Sequence, residues 1–359
     1  MTGSWGWRKP AGLRTGGPGV RDCFRPVEEG SLGISESIHI TGMGLAGCCL
    51  AWQRHFRGED FTWEDDDRPG SASRVAAGLV NPVTGKNFSV SWRLAEFLPE
   101  AEAFYARVGG LLGKTLWFPL PVWRLVGEKE WAKVEGKLEE ARPWIVAVEE
   151  GVPGWRAAVV LKGGGRVATR EFCEGTREYF LEARRLQNGL ARDAPATGGD
   201  AAATVLCEGS VGLIAGRLGG HRCAKGEILT LRAPGWRADR ILMGGGGWLV
   251  PLGHGLFKAG STYVWDRLDG EPTPEGRARV EEIARLLGGA DFEVVEHEAG
   301  VRPIVRKSQP VIGPLEDGRI VFNGLGSKGS LYAPGVAGRL AGWLGDGVEI
   351  DPELDVQKM

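Results

Sequence analysis

No stretch of the 359 residues approaches the roughly 18 consecutive apolar residues that a membrane-spanning helix needs. With 42% hydrophobic and 25% charged residues the chain is composed like a water-soluble globular protein, which excludes a membrane-spanning and a disordered one. An excess of one charge is also missing. Lys and Arg (44) nearly balance Asp and Glu (46), so the broad basic surplus of sequence-independent nucleic-acid binding is absent, and a nucleic-acid partner is disfavoured. The six cysteines (Cys23, Cys48, Cys49, Cys173, Cys207, Cys223) contain no CxxC pair and no zinc spacing, and read as reduced core thiols in a cytosolic protein. The five histidines (His39, His55, His221, His254, His297) fall in neither metal-ligand nor triad spacing, so no metal and no protein nucleophile is expected.

What the chain does have is glycine, 58 residues, more than twice the usual ~7% and without a collagen period. Such an excess points to tight turns and close main-chain approaches, as where a large ligand is held by the backbone. The length predicts about two domains, one of which can be assembled from separated stretches. Residues 1–35 are rich in Gly, Arg and Pro, lack the apolar core of a secretory signal, and read as a flexible N-terminal extension with no assigned function.

Order is expected to begin at SIHITGMGLAGCCLAWQRHF: Ile38 and Ile40 alternate as in a strand, Leu45–Phe56 reads as a helix, and Phe61 and Trp63 resume alternation. Gly42, Gly44 and Gly47 then form GxGxxG between a strand and a helix, the context that gives this motif meaning. Gly42 permits the turn, Gly44 lets a pyrophosphate approach, and Gly47 lets helix and strand pack, with Met43, Leu45 and Ala46 completing the loop at the helix N-terminus. Asp65, 18 residues beyond Gly47, is the expected ribose-binding carboxylate, with Glu64 the alternative register. Further on, helical spacing marks Arg93–Val108, and residues 226–300 read mostly as strands (GEILTLRA, GWLVPL, LFKAGSTYVW) with one helix opened by Thr273 and Pro274. A second match, Gly324, Gly326 and Gly329 in GLGSKG, again follows a strand and precedes a helix. It lies too near the end for a second nucleotide fold, yet its amides can meet an anionic group.

GMGLAG, PGSASRVAAGLVNPVTG, ATVLCEG, GSTYVWD, AGVRPIVRKSQPVIGP and IVFNGLGSKGSLYAPGVAGRLAGWL together resemble the D-amino acid oxidase family of FAD-dependent oxidoreductases, over roughly residues 37–345. Glycine oxidase, sarcosine oxidase and the oxidase domain of the bifunctional tRNA wobble-uridine modifying enzyme belong to it, and ASRVAAGLVNPVTG is most similar to the last. The resemblance implies an α/β fold with a Rossmann-like FAD-binding domain (36–82, 163–215 and 301–345), a mainly antiparallel β-sheet substrate domain (83–162 and 216–300), and a C-terminal tail (346–359). It implies that Ser73, Arg74, Ala76, Ala77 and Gly78 run along the FAD, that Gly209 ends a cofactor-binding strand, and that Gly326, Ser327, Lys328, Gly329 and Ser330 cover the flavin N1 and O2 side. Arg302 matches the arginine that clamps a substrate carboxylate, Tyr263 lines the substrate cavity, and Lys328 is a candidate to stabilise the reduced flavin. Noncovalent FAD and a small amino acid or amine substrate, oxidised at its C–N bond by hydride transfer to flavin N5, follow from that resemblance. The alternatives are oxidation of a modified tRNA wobble base, and a degenerate flavoprotein acting as a binding protein. Two departures bear on the last: the short polar segment 187–203 stands where many relatives carry a hairpin, and Glu208 stands near the expected cofactor.

Overall fold

The computed structural model describes residues 37–66, 68, 70–85, 87–182, 203–305 and 309–359. The N-terminal extension, with Cys23, and residues 187–202 of the short polar segment lie outside the described residues.

The chain opens as βαβ, with β1 (Ile38–Thr41), α1 (Leu45–Phe56) and β2 (Phe61–Glu64). A one-turn helix α2 (Ala72–Val75) leads into the short strands β3 (Leu79–Val80), β4 (Val83–Thr84) and β5 (Ser89–Val90). After α3 (Leu94–Leu112) come β6 (Trp117–Pro119), β7 (Val122–Val126), α4 (Glu128–Glu135), α5 (Leu138–Ala141), β8 (Ile145–Glu150), β9 (Ala157–Leu161), β10 (Gly165–Val167) and α6 (Thr169–Glu182). The second half runs β11 (Ala203–Leu206), α7 (Gly209–Ile214), β12 (Ala224–Arg232), β13 (Ile241–Gly244), β14 (Gly247–Gly253), β15 (Leu256–Gly260), α8 (Pro274–Gly288), β16 (Glu293–Arg302), β17 (Val311–Pro314), β18 (Ile320–Asn323) and α9 (Gly329–Asp346).

Two large sheets result. One has the order β17-β18-β11-β1-β2, parallel except for β17 at its edge. Parallel strands need both faces covered, and the full burial of Ile40, Trp63, Val205 and Phe322 follows from helices α1, α3, α6 and α9 packed around them. Trp52 of α1, itself fully buried, donates its indole N–H to Thr176 Oγ1 of α6 at 2.8 Å, so the large ring enters the core with its polar atom satisfied. The other sheet has the order β16-β12-β15-β14-β13-β7-β9-β8 and is antiparallel apart from the β13–β7 pair. Helix α8 covers one face through Val280, Ile283, Ala284 and Leu287. Its start is locked to that sheet: Thr273 Oγ1 accepts from the Gly276 amide at 3.0 Å and donates to buried Glu227 at 2.8 Å, while His297 contacts Glu227 at 2.9 Å.

Two expectations need adjusting. The strand expected through LFKAGSTYVW ends at Gly260, with only Val264 pairing further on, to Lys225. Ser261 and Thr262 turn instead to side-chain and amide partners: Arg302 donates to Ser261 Oγ at 2.7 Å and the Glu227 amide donates to Thr262 Oγ1 at 2.9 Å. Helix α3 continues four residues beyond Val108 to Leu112, where Gly113 in a left-handed conformation (φ 63) closes it. The last residues pack down: Leu354 is fully buried and its carbonyl accepts from the Ile312 amide of β17 at 2.8 Å.

Leu354→Ala therefore removes a filled core position at the sheet edge. It is expected to lower unfolding stability by about 2–5 kcal/mol, read as a shift in the denaturant midpoint without a change in slope.

Candidate active site

The turn between β1 and α1 is built with no room for side chains. Gly42 has φ +102, and a Cβ there would stand 2.6 Å from the Cys207 carbonyl oxygen at the end of β11. A Cβ on Gly47 would lie 2.0 Å from the Gly42 carbonyl oxygen, so helix and turn touch through main chain alone. Helix α1 begins without a side-chain cap of its own, and its Leu45 amide donates across the cleft to Ser73 Oγ at 2.9 Å. The N-terminus of α9 meets it: a Cβ on Gly329 would sit 2.9 Å from Leu45 Cδ2. Two helix N-termini, each carrying orphan amides and the positive end of a helix dipole, thus converge on one place.

These elements wall a cleft of 1820 Å³ that runs between the two sheets, well beyond the roughly 300–1,000 Å³ that suits a drug-sized ligand. Met43, Gly44, Leu45, Ala46, Ser73, Arg74, Ala76, Ala77, Gly78, Gly209, Gly326, Ser327, Lys328, Gly329 and Ser330 line it, as do Gly42, Asp65, Tyr263 and Arg302. Gly47 alone of the expected residues does not; it lies behind the turn it permits. Gly78 brings the wall segment against β10, since a Cβ there would fall 1.8 Å from the Val167 carbonyl oxygen.

At the β2 end both expected carboxylates reach the cleft, in different company. Glu64 is the last residue of β2, level with Thr41, and accepts from Thr41 Oγ1 at 3.3 Å with His39 Nε2 at 3.6 Å. Asp65, one residue past the strand, is ion-paired with Arg177 of α6. Glu208 pairs with Arg217 Nε at 3.3 Å, which turns its charge away from bare exposure beside Gly42.

Elsewhere on the cleft wall lie two cations without a carboxylate partner among the described residues. Arg302 donates to Ser261 Oγ at 2.7 Å and to the Thr262 carbonyl at 3.3 Å, and its guanidinium sits 4.2 Å over the Tyr263 ring. No Asp or Glu pairs with it among the described residues, and burial lowers its affinity for the proton below the ordinary arginine range. Gly226 makes space for it: a Cβ there would lie 2.0 Å from Arg302 Nη2. Tyr263 is 51% exposed, so it is a cleft aromatic and not a core one, and Trp265 lies 6.0 Å from it. The side chain of Lys328, at the N-cap of α9, makes no hydrogen bond or ion pair among the described residues, and burial lowers its proton affinity. Cys48 and Cys49 are fully buried in α1, with the Cys48 thiol donating to the Met43 carbonyl at 3.3 Å.

A long cleft with a side-chain-free turn, converging helix N-termini and unpaired cations suits a bulky anionic dinucleotide. The family model for FAD dependent oxidoreductases matches residues 37–343. The chain belongs to this family. FAD is the cofactor of this oxidoreductase, and the cradle fits it through the Gly42–Gly47 turn and the small-residue wall 73–78. Among solved structures, the fold is shared with glycine oxidase from Geobacillus kaustophilus (TM-score 0.73, 18% identity, 88% of this chain and 96% of that one). It is also shared with iminodiacetate oxidase from Chelativorans sp. BNC1 (TM-score 0.72, 19% identity, 88% and 96%). In sequence, the chain is 27% identical to the tRNA 5-methylaminomethyl-2-thiouridine biosynthesis bifunctional protein MnmC of Caulobacter vibrioides over 94% of its own length and 58% of that protein. It is 26% identical to the MnmC of Burkholderia pseudomallei strain 668, spanning half of that relative.

Residues the sequence reading passed over also shape the cleft. Thr169, Arg170 and Lys258 contact its wall, Glu298 holds Arg170 and Lys258, and Ser261 and Thr262 hold Arg302. The alternation of Glu296, Glu298, Gly300 and Arg302 along one strand was the available signal, because residues two apart share a face.

Gly47→Ala is expected to displace the turn and weaken FAD binding by at least roughly tenfold. The check is the flavin-to-protein ratio after purification together with FAD titration of the apoprotein.

Proposed function

We propose that this oxidoreductase oxidises the C–N bond of an amino acid or carboxylate-bearing amine. The observation that carries the reading is Arg302, a half-buried guanidinium on the cleft wall with no carboxylate partner among the described residues. A charge partly withdrawn from water and without a counter-ion among the described residues is stabilised by an incoming anion, and a planar two-toothed donor matches a carboxylate. Ser261 and Thr262 hold the guanidinium in one orientation, and the exposed Tyr263 ring offers the substrate an apolar face beside it. FAD, when bound, supplies the electron-accepting chemistry. Arg302 would orient the amine through its carboxylate, and Lys328 would place positive charge, with the α9 N-terminus, on the loop Gly326–Ser330 where negative charge develops. Of the two carboxylates at β2, Glu64 has no arginine partner among the described residues and would take the ribose hydroxyls, with Asp65 bracing α6 through Arg177. In this reading the five-stranded sheet belongs to the FAD-binding portion and the eight-stranded sheet to the substrate portion.

A second reading, oxidation of an amine on a tRNA base, is supported by the likeness to MnmC over most of this chain. Anaerobic addition of glycine, sarcosine, proline and D-amino acids tests the first reading: loss of the visible flavin band with one of them is the expected result. Bleaching by unfractionated tRNA and by none of these would overturn it in favour of the second. Arg302→Met should raise the half-saturating amine concentration by roughly 10²-fold with a smaller change in the limiting rate, and Arg302→Lys should fall between.

Lys328 adds a pH signature. Burial lowers its pKa below the ordinary 10.5, so the ammonium is lost as pH rises through a value lower than a surface lysine's. Flavin reduction should show an alkaline limb below that ordinary value. In Lys328→Met that limb should be gone and the rate low throughout.

A further inference from the structure

Four consecutive residues of the cleft wall are each gripped from outside. Ser73 Oγ accepts from the Leu45 amide at 2.9 Å, the Arg74 carbonyl from Arg170 Nε at 3.4 Å, the Val75 carbonyl from Lys258 Nζ at 2.6 Å, and the Ala76 carbonyl from Thr169 Oγ1 at 3.3 Å. The segment needs this help. Helix α2 is a single turn, too short to hold itself, and its last carbonyls have no intrahelical partners.

The grips come from two different structural units. Thr169 and Arg170 start α6, which packs on the five-stranded sheet, whereas Lys258 lies in β15 at the middle of the eight-stranded one. Glu298 of β16 ties them together: it accepts from Lys258 Nζ at 3.2 Å and is ion-paired with Arg170. Lys258 is only 7% exposed, and burial lowers its proton affinity while Glu298 raises it. Along β16, Glu298, Gly300 and Arg302 alternate with inward partners of the other face and share one side of the strand. Gly300 admits the wall itself, for a Cβ there would lie 3.3 Å from Ala72 Cα and from the Gly70 carbonyl oxygen.

We propose that the Lys258–Glu298–Arg170 cluster is a positioning device that fixes the main chain at 74–76 against the FAD cleft and, through β16, sets its spacing from Arg302. Replacing even a buried ion cluster by apolar side chains is often neutral or stabilising, so the contribution of charge in this partly buried one is direction: each donor is aimed at one carbonyl. Arg302, Gly300 and Glu298 then act as three marks on one rigid strand, one for the substrate carboxylate, one for the wall and one for the cluster that holds the wall.

The inference rests on FAD in the cleft and on the carboxylate reading of Arg302, and its first readout needs no amine. Apoprotein of Lys258→Met and of Arg170→Gln is titrated with FAD, and the flavin spectrum and reduction at varied amine concentration follow. The expected result is FAD dissociation raised roughly tenfold or more in both, an altered visible flavin band, and a slower limiting rate with the half-saturating amine concentration held within about twofold. FAD dissociation within about twofold of wild type in both variants overturns the proposal, as does a loss confined to the half-saturating amine concentration. Should Lys258→Met fail to fold, Arg170→Gln decides on the same criteria, its side chain being 39% exposed and tolerant of change. If no amine reduces the wild-type flavin, the FAD titration still decides, and only the substrate reading falls.

Discussion

Main chain passing main chain at contact distance is the constraint on which the rest of this structure depends. At Gly42, Gly47 and Gly78 an added Cβ would overlap a carbonyl oxygen of a neighbouring element. Because these approaches are so close, β1, α1 and β11 cannot shift separately, nor can the 73–78 wall shift from β10. The cleft inherits their rigidity, and its walls present amides and small side chains where a bulky anionic cofactor must lie flat.

Charge is distributed along the cleft in the complementary sense. Carboxylates cluster at the β2 end, where Glu64 and Asp65 face hydroxyl and guanidinium partners. Arg302 and Lys328, cations without a carboxylate partner among the described residues, stand elsewhere on its wall. Desolvation makes both cations costly in isolation, so the protein holds a standing affinity for negative charge there. The buried groups outside the cleft behave differently: Glu227 and Lys225 are enclosed but fully partnered, by Thr273, His297 and Asp269, and serve to seat α8.

Much of this was legible from residues alone. Apolar periodicity located β1, α1 and β2 to the residue or nearly so, since 3.6 and 2 are periods that local sequence carries. The glycine motifs pointed to the turn and the second loop because a missing Cβ is itself a sequence feature. Edge strand β17 and the ending of β15 at Gly260 were not legible, because pairing partners and the pull of Arg302 on Ser261 come from remote parts of the chain. Tyr263 could be weighed as core or cleft only once its 51% exposure was known.

The sequence by itself pointed to the fold class and the cofactor through its resemblance to a known family, and the residues it singled out line the cleft with the exception of Gly47, because main-chain permissiveness, helix starts and small-residue runs are written residue by residue. Tertiary structure alone decided which charges are paired and which are left open. It gave Asp65 an arginine and left Arg302 without a carboxylate among the described residues, and it brought Lys258, Glu298 and Arg170 around one short wall segment from three separate stretches. Ion pairing depends on distances of a few ångströms between residues 112 positions apart for Asp65 and Arg177 and 128 for Arg170 and Glu298, and no local pattern encodes those distances.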